Sequence, residues 1–337
     1  MNRDNFSDRR RILRAAGALG MAGTWLHAMP ARAAAEFPIP GKPVRIIAPS
    51  GGGGPTDTVA RILAERLAPS LKVPIIVDNK PGAVGSIALN LTAKAPPDGH
   101  TLLVGFVSAN VIFPLLNQKL PFDARKDFTP ITQVMSGGVN LMANPALPAN
   151  NLQEFIAYAK KQPKPISYGS FGSGSTAHLA GEYLQILTGI KMVHIPYKSA
   201  TALTNDLVAG HVMVGFTDTT SAAAQVRAGM LKGLAQTSSV RAPALHDVPT
   251  IEEQGVPFSA PAWNGIFGPA HMPPEVVERL NHEIVQILKA PELRDRWISA
   301  IGYPPAPTTA AEFSKIVERD FVTWKKVIDS AKVTLDS

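Results

Sequence analysis

Short apolar runs alternate with longer stretches of 3.6-residue periodicity along most of the chain. Val44-Arg-Ile-Ile-Ala48 reads as a strand, Thr58 to Leu71 as a helix and Pro74-Ile-Ile-Val-Asp78 as a second strand, which together make a βαβ unit. Ser86 to Lys94 repeats the helical pattern, Pro96-Pro-Asp-Gly99 marks a turn, and Thr101-Leu-Leu-Val-Gly105 is a third strand. A parallel sheet with crossover helices on its faces follows from this rhythm.

The same alternation starts again after Ile131-Thr-Gln-Val-Met135. Asn151 precedes a helix through Lys161, with Glu154 at capping-box spacing, and Ile166-Ser-Tyr168 leads through a glycine turn into a helix from Thr176 to Leu187. Strands at Met192–Ile195, Val212–Phe216 and Leu231–Gln236 are separated by helices at Thr201–Ala209 and Ser221–Ala228. Farther on, Val248 to Gly255 reads as a short capped helix, Trp263 to Gly268 as a strand and Pro273 to Ala290 as an amphipathic helix, with two more helices behind. A lone strand among helices fits an addition to the first domain better than a third domain. The expected organisation is residues 36–136 plus 257–337 as one α/β domain and 137–256 as the other. The two crossings, near 136 and 256, permit hinge closure.

Residues 1–35 stand apart from this pattern. Arg9-Arg10-Arg11 precede the modestly apolar stretch Ile12 to Met29 and the small-residue run Ala31-Arg-Ala-Ala-Ala35, the layout of a secretory signal cleaved near residues 33–35. The order Arg9-Arg10-x-Ile12-Leu13-Arg14 favours twin-arginine export over the general secretory route and predicts a periplasmic protein. Arg14 and His27 interrupt the stretch, so it is too short to span a bilayer.

Net charge is +7 for the whole chain, but six basic and two acidic residues belong to the leader, leaving 27 basic against 24 acidic. With no basic run longer than Lys160-Lys161 or Lys325-Lys326, a nucleic-acid partner is not expected. The absence of cysteine excludes a disulfide framework, thiolate catalysis and Cys-ligated metals. No His-x-x-x-His pair or regular carboxylate loop predicts a metal, and no cofactor is expected.

Candidate chemistry concentrates in two glycine-rich turns. Pro49-Ser-Gly-Gly-Gly-Gly-Pro-Thr-Asp57 and Ser170-Phe-Gly-Ser-Gly-Ser-Thr-Ala-His178 each follow a strand and open a helix. Glycine lets backbone N–H groups converge on an anion, and the helix N-terminus adds partial positive charge. The first turn lacks the Gly-Lys-Ser/Thr of a nucleotide P-loop and the spacing of a dinucleotide fingerprint. As a plain turn it would have Thr56 or Asp57 as helix N-cap, a role compatible with an anion site. In the second, hydroxyls of Ser170, Ser173, Ser175 and Thr176 lie beside the N–H groups of Gly172 and Gly174, a neutral cradle suited to reversible capture. A serine hydrolase using Ser175 with His178 as base is the weaker alternative, because the pattern is G-x-G-S-T and not G-x-S-x-G. Among the aromatics, Phe267 is expected in the core, and Trp263 and Phe171 at the wall of a cleft.

Lys42-Pro-Val-Arg-Ile-Ile-Ala-Pro49, Gly53-Gly54-x-Thr56-Asp57, Asp78-Asn-Lys-Pro-Gly-Ala-x-Gly85, Pro97-Asp-Gly-His-Thr-Leu-Leu103, Asp127-Phe-Thr-Pro-Ile131, His194-Ile-Pro-Tyr-Lys198 and Asp247-Val-Pro-Thr250 occur in this order. The chain thereby resembles the tripartite tricarboxylate transporter substrate-binding proteins, the Bug family, over nearly all of its length after the leader. The resemblance implies a type II periplasmic-binding-protein fold, with two α/β domains around a ligand cleft. It further implies a small organic carboxylate as ligand, no catalysis, and membrane permease subunits as partner, with a binding module feeding a sensor kinase as the alternative. Carried onto this sequence, ligand contacts would come from Ser50, Gly53, Gly54, Thr56 and Asp57 on one side. On the other they would come from Ser170, Gly172, Gly174, Ser175, Thr176 and His178, with Thr217, Asp218, Thr219 and Trp263 at the distal end. Ser50-Gly51-Gly52 stand where the family usually has an aromatic and small residues, which implies more room beside the first turn, while Pro55 stiffens it. A monomer is expected.

Overall fold

The protein is described by a computed structural model covering residues 37–117, 119–258 and 262–335. The leader and its cleavage site lie outside the described residues. Among the described residues ten strands form two five-stranded sheets, one in each of two α/β domains.

In the first sheet β1 (Val44–Ala48) lies between β2 (Ile75–Asn79) and β3 (Thr101–Phe106), parallel to both. Beyond β3 come β10 (Ala262–Pro269) and then β4 (Phe128–Gly137), and β10 runs antiparallel to both neighbours. The second sheet repeats the plan. There β6 (Ile166–Ser170) lies between and parallel to β7 (Met192–Pro196) and β8 (Val214–Thr217). The strand β5 (Asn140–Ala143) runs antiparallel between β8 and β9 (Lys232–Gln236). The chain changes sheet at Gly138-Val139 and again between β9 and β10.

Each expected parallel sheet therefore carries one antiparallel strand. The strand β5 escapes detection because its four residues follow β4 closely and are all buried, so no period-2 signal separates them from the run before. The segment Val248–Gly255 is a turn and not a helix. Thr250 and Glu253 exchange capping-box hydrogen bonds, Thr250 N–H to the Glu253 carboxylate at 2.6 Å and Glu253 N–H to Thr250 Oγ1 at 3.1 Å, but Gly255 in the left-handed region closes the turn at once.

Alternation along β1 divides the first domain's core. Val44, Ile46 and Ala48 face α1 (Pro55–Leu71) and α8 (Pro274–Lys289), whereas Ile47 joins a larger core on the opposite face. That larger core runs on into the second domain through Leu141, Tyr168 and Phe216, so the two domains share buried apolar surface. The last helix, α10 (Ala310–Ala331), packs on β4 and also touches α5 (Thr176–Thr188), tying the chain's end to both domains. Among the described residues no helix is long and apolar enough to cross a membrane.

Candidate functional site

In an open α/β sheet, ligands bind beyond the carboxyl ends of the strands, where strand order reverses. That point falls between β1 and β3 in one domain and between β6 and β8 in the other. The loops in question are 49–54 and 107–108 on one side, 171–175 and 218 on the other. Both glycine turns occupy such loops.

The first turn is organised around Asp57, almost wholly buried in the first turn of α1. Its Oδ2 accepts from Gly53 N–H at 2.8 Å and Arg61 Nε at 2.9 Å, and its Oδ1 from Asn79 Nδ2 at 2.8 Å. Burial pushes the carboxyl pKa up, but hydrogen bonds from Arg61, Gly53 and Asn79 and the Arg61 charge outweigh it and hold the group below its ordinary value. Ser50 Oγ accepts from Thr56 Oγ1 at 2.7 Å and from Asp57 N–H at 3.2 Å, so it caps the helix through space. Helix α1 begins at Pro55 with Gly54 as N-cap, which corrects the expected Thr56 or Asp57. A Cβ on Gly54 would stand 2.7 Å from Ser50 Oγ, so this close approach requires glycine. Ser50, Thr56 and Asp57 thus spend their side chains inside the turn, while Gly51, Gly52 and Gly53 form its exposed rim.

The second turn also has its own internal partners. Ser170 is fully buried, and its Oγ lies 3.1 Å from Gly172 N–H and 2.6 Å from His194 Nε2. Ser175 is the N-cap of α5, accepting from His178 N–H at 3.2 Å and donating to Gly172 O at 2.6 Å. His178 Nδ1 accepts from Gly174 N–H at 3.1 Å, and the His178 ring stacks on His194 with centroids 3.8 Å apart. Gly172 and Gly174 take φ of +123° and +73°, the left-handed region open to glycine. The expectation that their N–H groups face a ligand is corrected: each is held from within. The N–H that reaches the other domain is that of Thr176, donated to Ser108 Oγ at 3.3 Å. Phe171 is half-buried beside the turn.

Thr217, Asp218 and Thr219 lie beside the first crossing between the sheets. The Asn140 amide donates to Thr217 O at 3.3 Å and Thr219 Oγ1 at 3.0 Å. Thr219 Oγ1 in turn donates to Tyr303 OH at 3.2 Å, and Tyr303 OH to Gly138 O at 3.3 Å. Burial pushes the Tyr303 phenol up, so it remains a donor. Asp218 caps α7 (Thr219–Arg227) by accepting from Ser221 N–H at 2.7 Å. Trp263 is not at a cleft wall. It is 1% exposed, packs edge-on against Phe313, and donates Nε1–H to Asp320 Oδ2 at 2.7 Å. Among the described residues, no group of three His, Asp or Glu side chains is placed to hold a metal.

The model of the tripartite tricarboxylate transporter family receptor matches residues 59–333. The chain belongs to that family. Its relatives include the protein BugT of Bordetella pertussis, 32% identical over 291 residues that cover 86% of this chain and 89% of that one. Among solved structures, R. palustris Rpa4515 with adipate is similar at TM-score 0.76 and 29% identity, over 89% of this chain and 100% of that one. MatC from Rhodopseudomonas palustris with bound malate is similar at TM-score 0.72 and 30% identity, over 86% and 100%. Family receptors are periplasmic binding proteins of transport systems and not enzymes. The geometry agrees, because the Ser175 hydroxyl is used as a helix cap and His178 Nδ1 as an acceptor for a peptide N–H. Neither group is arranged as a nucleophile–base pair.

Sequence reasoning missed Ser108, Asn79, Asn140, His194 and Tyr303 as parts of this machinery. Ser108 had a usable signal, since it follows β3 and so shares a topological switch point with the first turn. The others act through partners distant in sequence.

Proposed function

We propose that the chain is a receptor that closes two domains around a small organic carboxylate and passes it to the membrane subunits of a tripartite transporter. The hydrogen bond from Thr176 N–H to Ser108 Oγ carries this reading. It joins the switch points of the two sheets, so a ligand of a few heavy atoms seated there meets both domains. The N-terminus of the 13-residue α5 provides the favourable dipole for a carboxylate, and the exposed Gly51 and Gly52 of the first turn provide main-chain groups. Adipate and malate in the structures of two relatives support the ligand class. Of the residues expected from the sequence, Thr176 is assigned main-chain contact, its N–H passing from Ser108 to the ligand, while the N–H groups of Gly53, Gly54 and Ser175 are taken by Asp57, Gly51 O and Gly172 O and help to shape the turns. Ser50, Thr56, Asp57, Ser170, Gly172, Gly174 and His178 shape the turns that present those contacts, and Thr217, Asp218 and Thr219 connect the site to the hinge. The leader directs export and is removed near residues 33–35, and the receptor works as a monomer.

A thermal-shift screen tests the ligand class, with adipate and malate first and then monocarboxylates and aromatic carboxylates. A ligand at a hundred times its Kd stabilises the folded form by about 2.7 kcal/mol, enough for a clear rise in Tm. Folded protein whose Tm stays fixed across the whole set would overturn the proposal.

A further inference from the structure

We propose that His178 and His194 are positioning residues for the second turn, and that His178 makes this turn proton-sensitive. The inference rests on the turn's role in the proposed function, but its chemistry stands on three observations at the second turn. The first is direction. Gly174 N–H can only donate, so the Nδ1 that it meets at 3.1 Å must be an unprotonated acceptor, which fixes neutral His178 in the tautomer with its proton on Nε2. The second is stacking: His178 lies on His194 with the planes 10° apart, and His194 Nε2 meets Ser170 Oγ, which accepts from Gly172 N–H. One imidazole therefore supports the Gly174 peptide, and the other supports the Gly172 peptide through a hydroxyl. The third is placement. His178 is 8% exposed, and its own position lies two residues from Thr176, whose N–H crosses to Ser108.

Protonation of His178 on Nδ1 turns that acceptor into a donor facing Gly174 N–H, and the hydrogen bond is lost. The titratable groups around His178 act in different directions. Glu182, one turn on along α5, has Oε1 3.9 Å from Nε2 and favours the imidazolium. A charge on His194 across the stack opposes it. The single hydroxyl proton of Tyr168 on β6 is shared between Glu182 Oε1 at 2.7 Å and His178 O at 2.9 Å, and burial followed by the Glu182 charge pushes its phenol up, so it stays protonated. From the first domain, the side chains against Gly174 are Leu116 and Leu335, which carry no charge. Acid acts on the Gly174 peptide through His178 Nδ1, while Ser170 and His194 carry the Gly172 side of the turn.

The test uses uniformly 15N-labelled full chain without ligand, so its outcome is separate from that of the carboxylate screen. Long-range 1H–15N spectra from about pH 8 to 5, bracketing the ordinary histidine range, should show His178 as the Nε2–H tautomer at the upper end. As His178 titrates, protection of the Gly174 amide against exchange, corrected for its intrinsic pH dependence, should fall by roughly tenfold, the worth of one peptide hydrogen bond. His178→Asn, which keeps an acceptor near the Nδ1 position, should retain the protection and lose its pH dependence. His194→Gln, which keeps a polar group toward Ser170, should retain the His178 response. A Gly174 amide whose protection is unmoved while His178 titrates, or an Nδ1–H tautomer at high pH, would overturn the proposal, and both are read on the unmutated protein even where a variant fails to fold.

Discussion

Replacing Asp57 with Asn tests whether the first turn is held by a carboxylate of the protein's own. The wild-type group accepts three hydrogen bonds through two oxygens, from Gly53 N–H, Arg61 and Asn79. An asparagine offers one oxygen and one NH2. With its oxygen toward Gly53 and Arg61, the NH2 faces the Asn79 amide, which is fixed because the same Nδ2 also donates to Ser50 O at 2.9 Å. Turned the other way, the NH2 faces a peptide N–H that cannot rotate. Each orphaned buried donor costs about 1–3 kcal/mol. Loss of the anion at a helix N-terminus adds about 0.3–1 kcal/mol. The Arg61 contribution is discounted because that side chain is 60% exposed. A destabilisation of about 3 kcal/mol is expected at pH 7.

Acid should erase the difference. Because the folded-state pKa of Asp57 lies below its ordinary value, the stability it contributes is fully present above the unfolded carboxyl pKa and is lost as pH falls through the folded one. The variant has no such group, so the gap between wild type and Asp57→Asn should stay constant from pH 7 to about 5 and close below about pH 4. Urea denaturation followed by circular dichroism at a series of pH values measures it. A gap under about 1 kcal/mol at pH 7, or one that persists unchanged into acid, would refute the account of the first turn.

Two further predictions concern residues that join distant parts of the chain. Trp263→Phe should cost about 2–4 kcal/mol at pH 7, because Asp320, already pushed up in pKa by burial despite the nearby Arg319, loses its indole donor; the deficit should narrow on acidification as the raised carboxyl takes its proton, and a pH-independent deficit would argue against this origin. Ser108→Ala, which orphans the buried Thr176 N–H, should cost about 1–3 kcal/mol and shift the free protein toward a more open form in small-angle scattering, and an unchanged scattering curve would remove Ser108 from the closure step.

Both glycine turns were legible because the backbone needs that residue type: φ is positive at Gly53, Gly172 and Gly174, and a Cβ at Gly54 would collide with Ser50. What those turns do with their polar groups was not. Ser170 and Ser175 look like open hydroxyls in a linear text, but partners two to three residues away and His194 across the sheet absorb them. Trp263 misled for the opposite reason. Beside Asn264-Gly265 it reads as a turn aromatic, whereas its partner Asp320 lies 57 residues on, in a helix whose place over β4 only the fold decides. The hydrophobic rhythm exposed the two-domain plan but not the strand β5, whose direction depends on the hinge before it.

The two turns differ in what holds them, and that difference bears on how a receptor lets go. The first is pinned by a carboxylate held below its ordinary pKa, so its support survives until strongly acid conditions. The second is pinned by an unprotonated imidazole nitrogen, an acceptor that proton uptake would remove. Proton uptake on that nitrogen would weaken the second jaw and leave the first intact. Internal partners also mean that neither turn must be ordered by its ligand, which keeps the entropic cost of capture low and leaves affinity to domain closure and the few exposed main-chain groups. For the proposed receptor, release would then proceed by separation of the two domains with both turns still formed, and not by melting of the site.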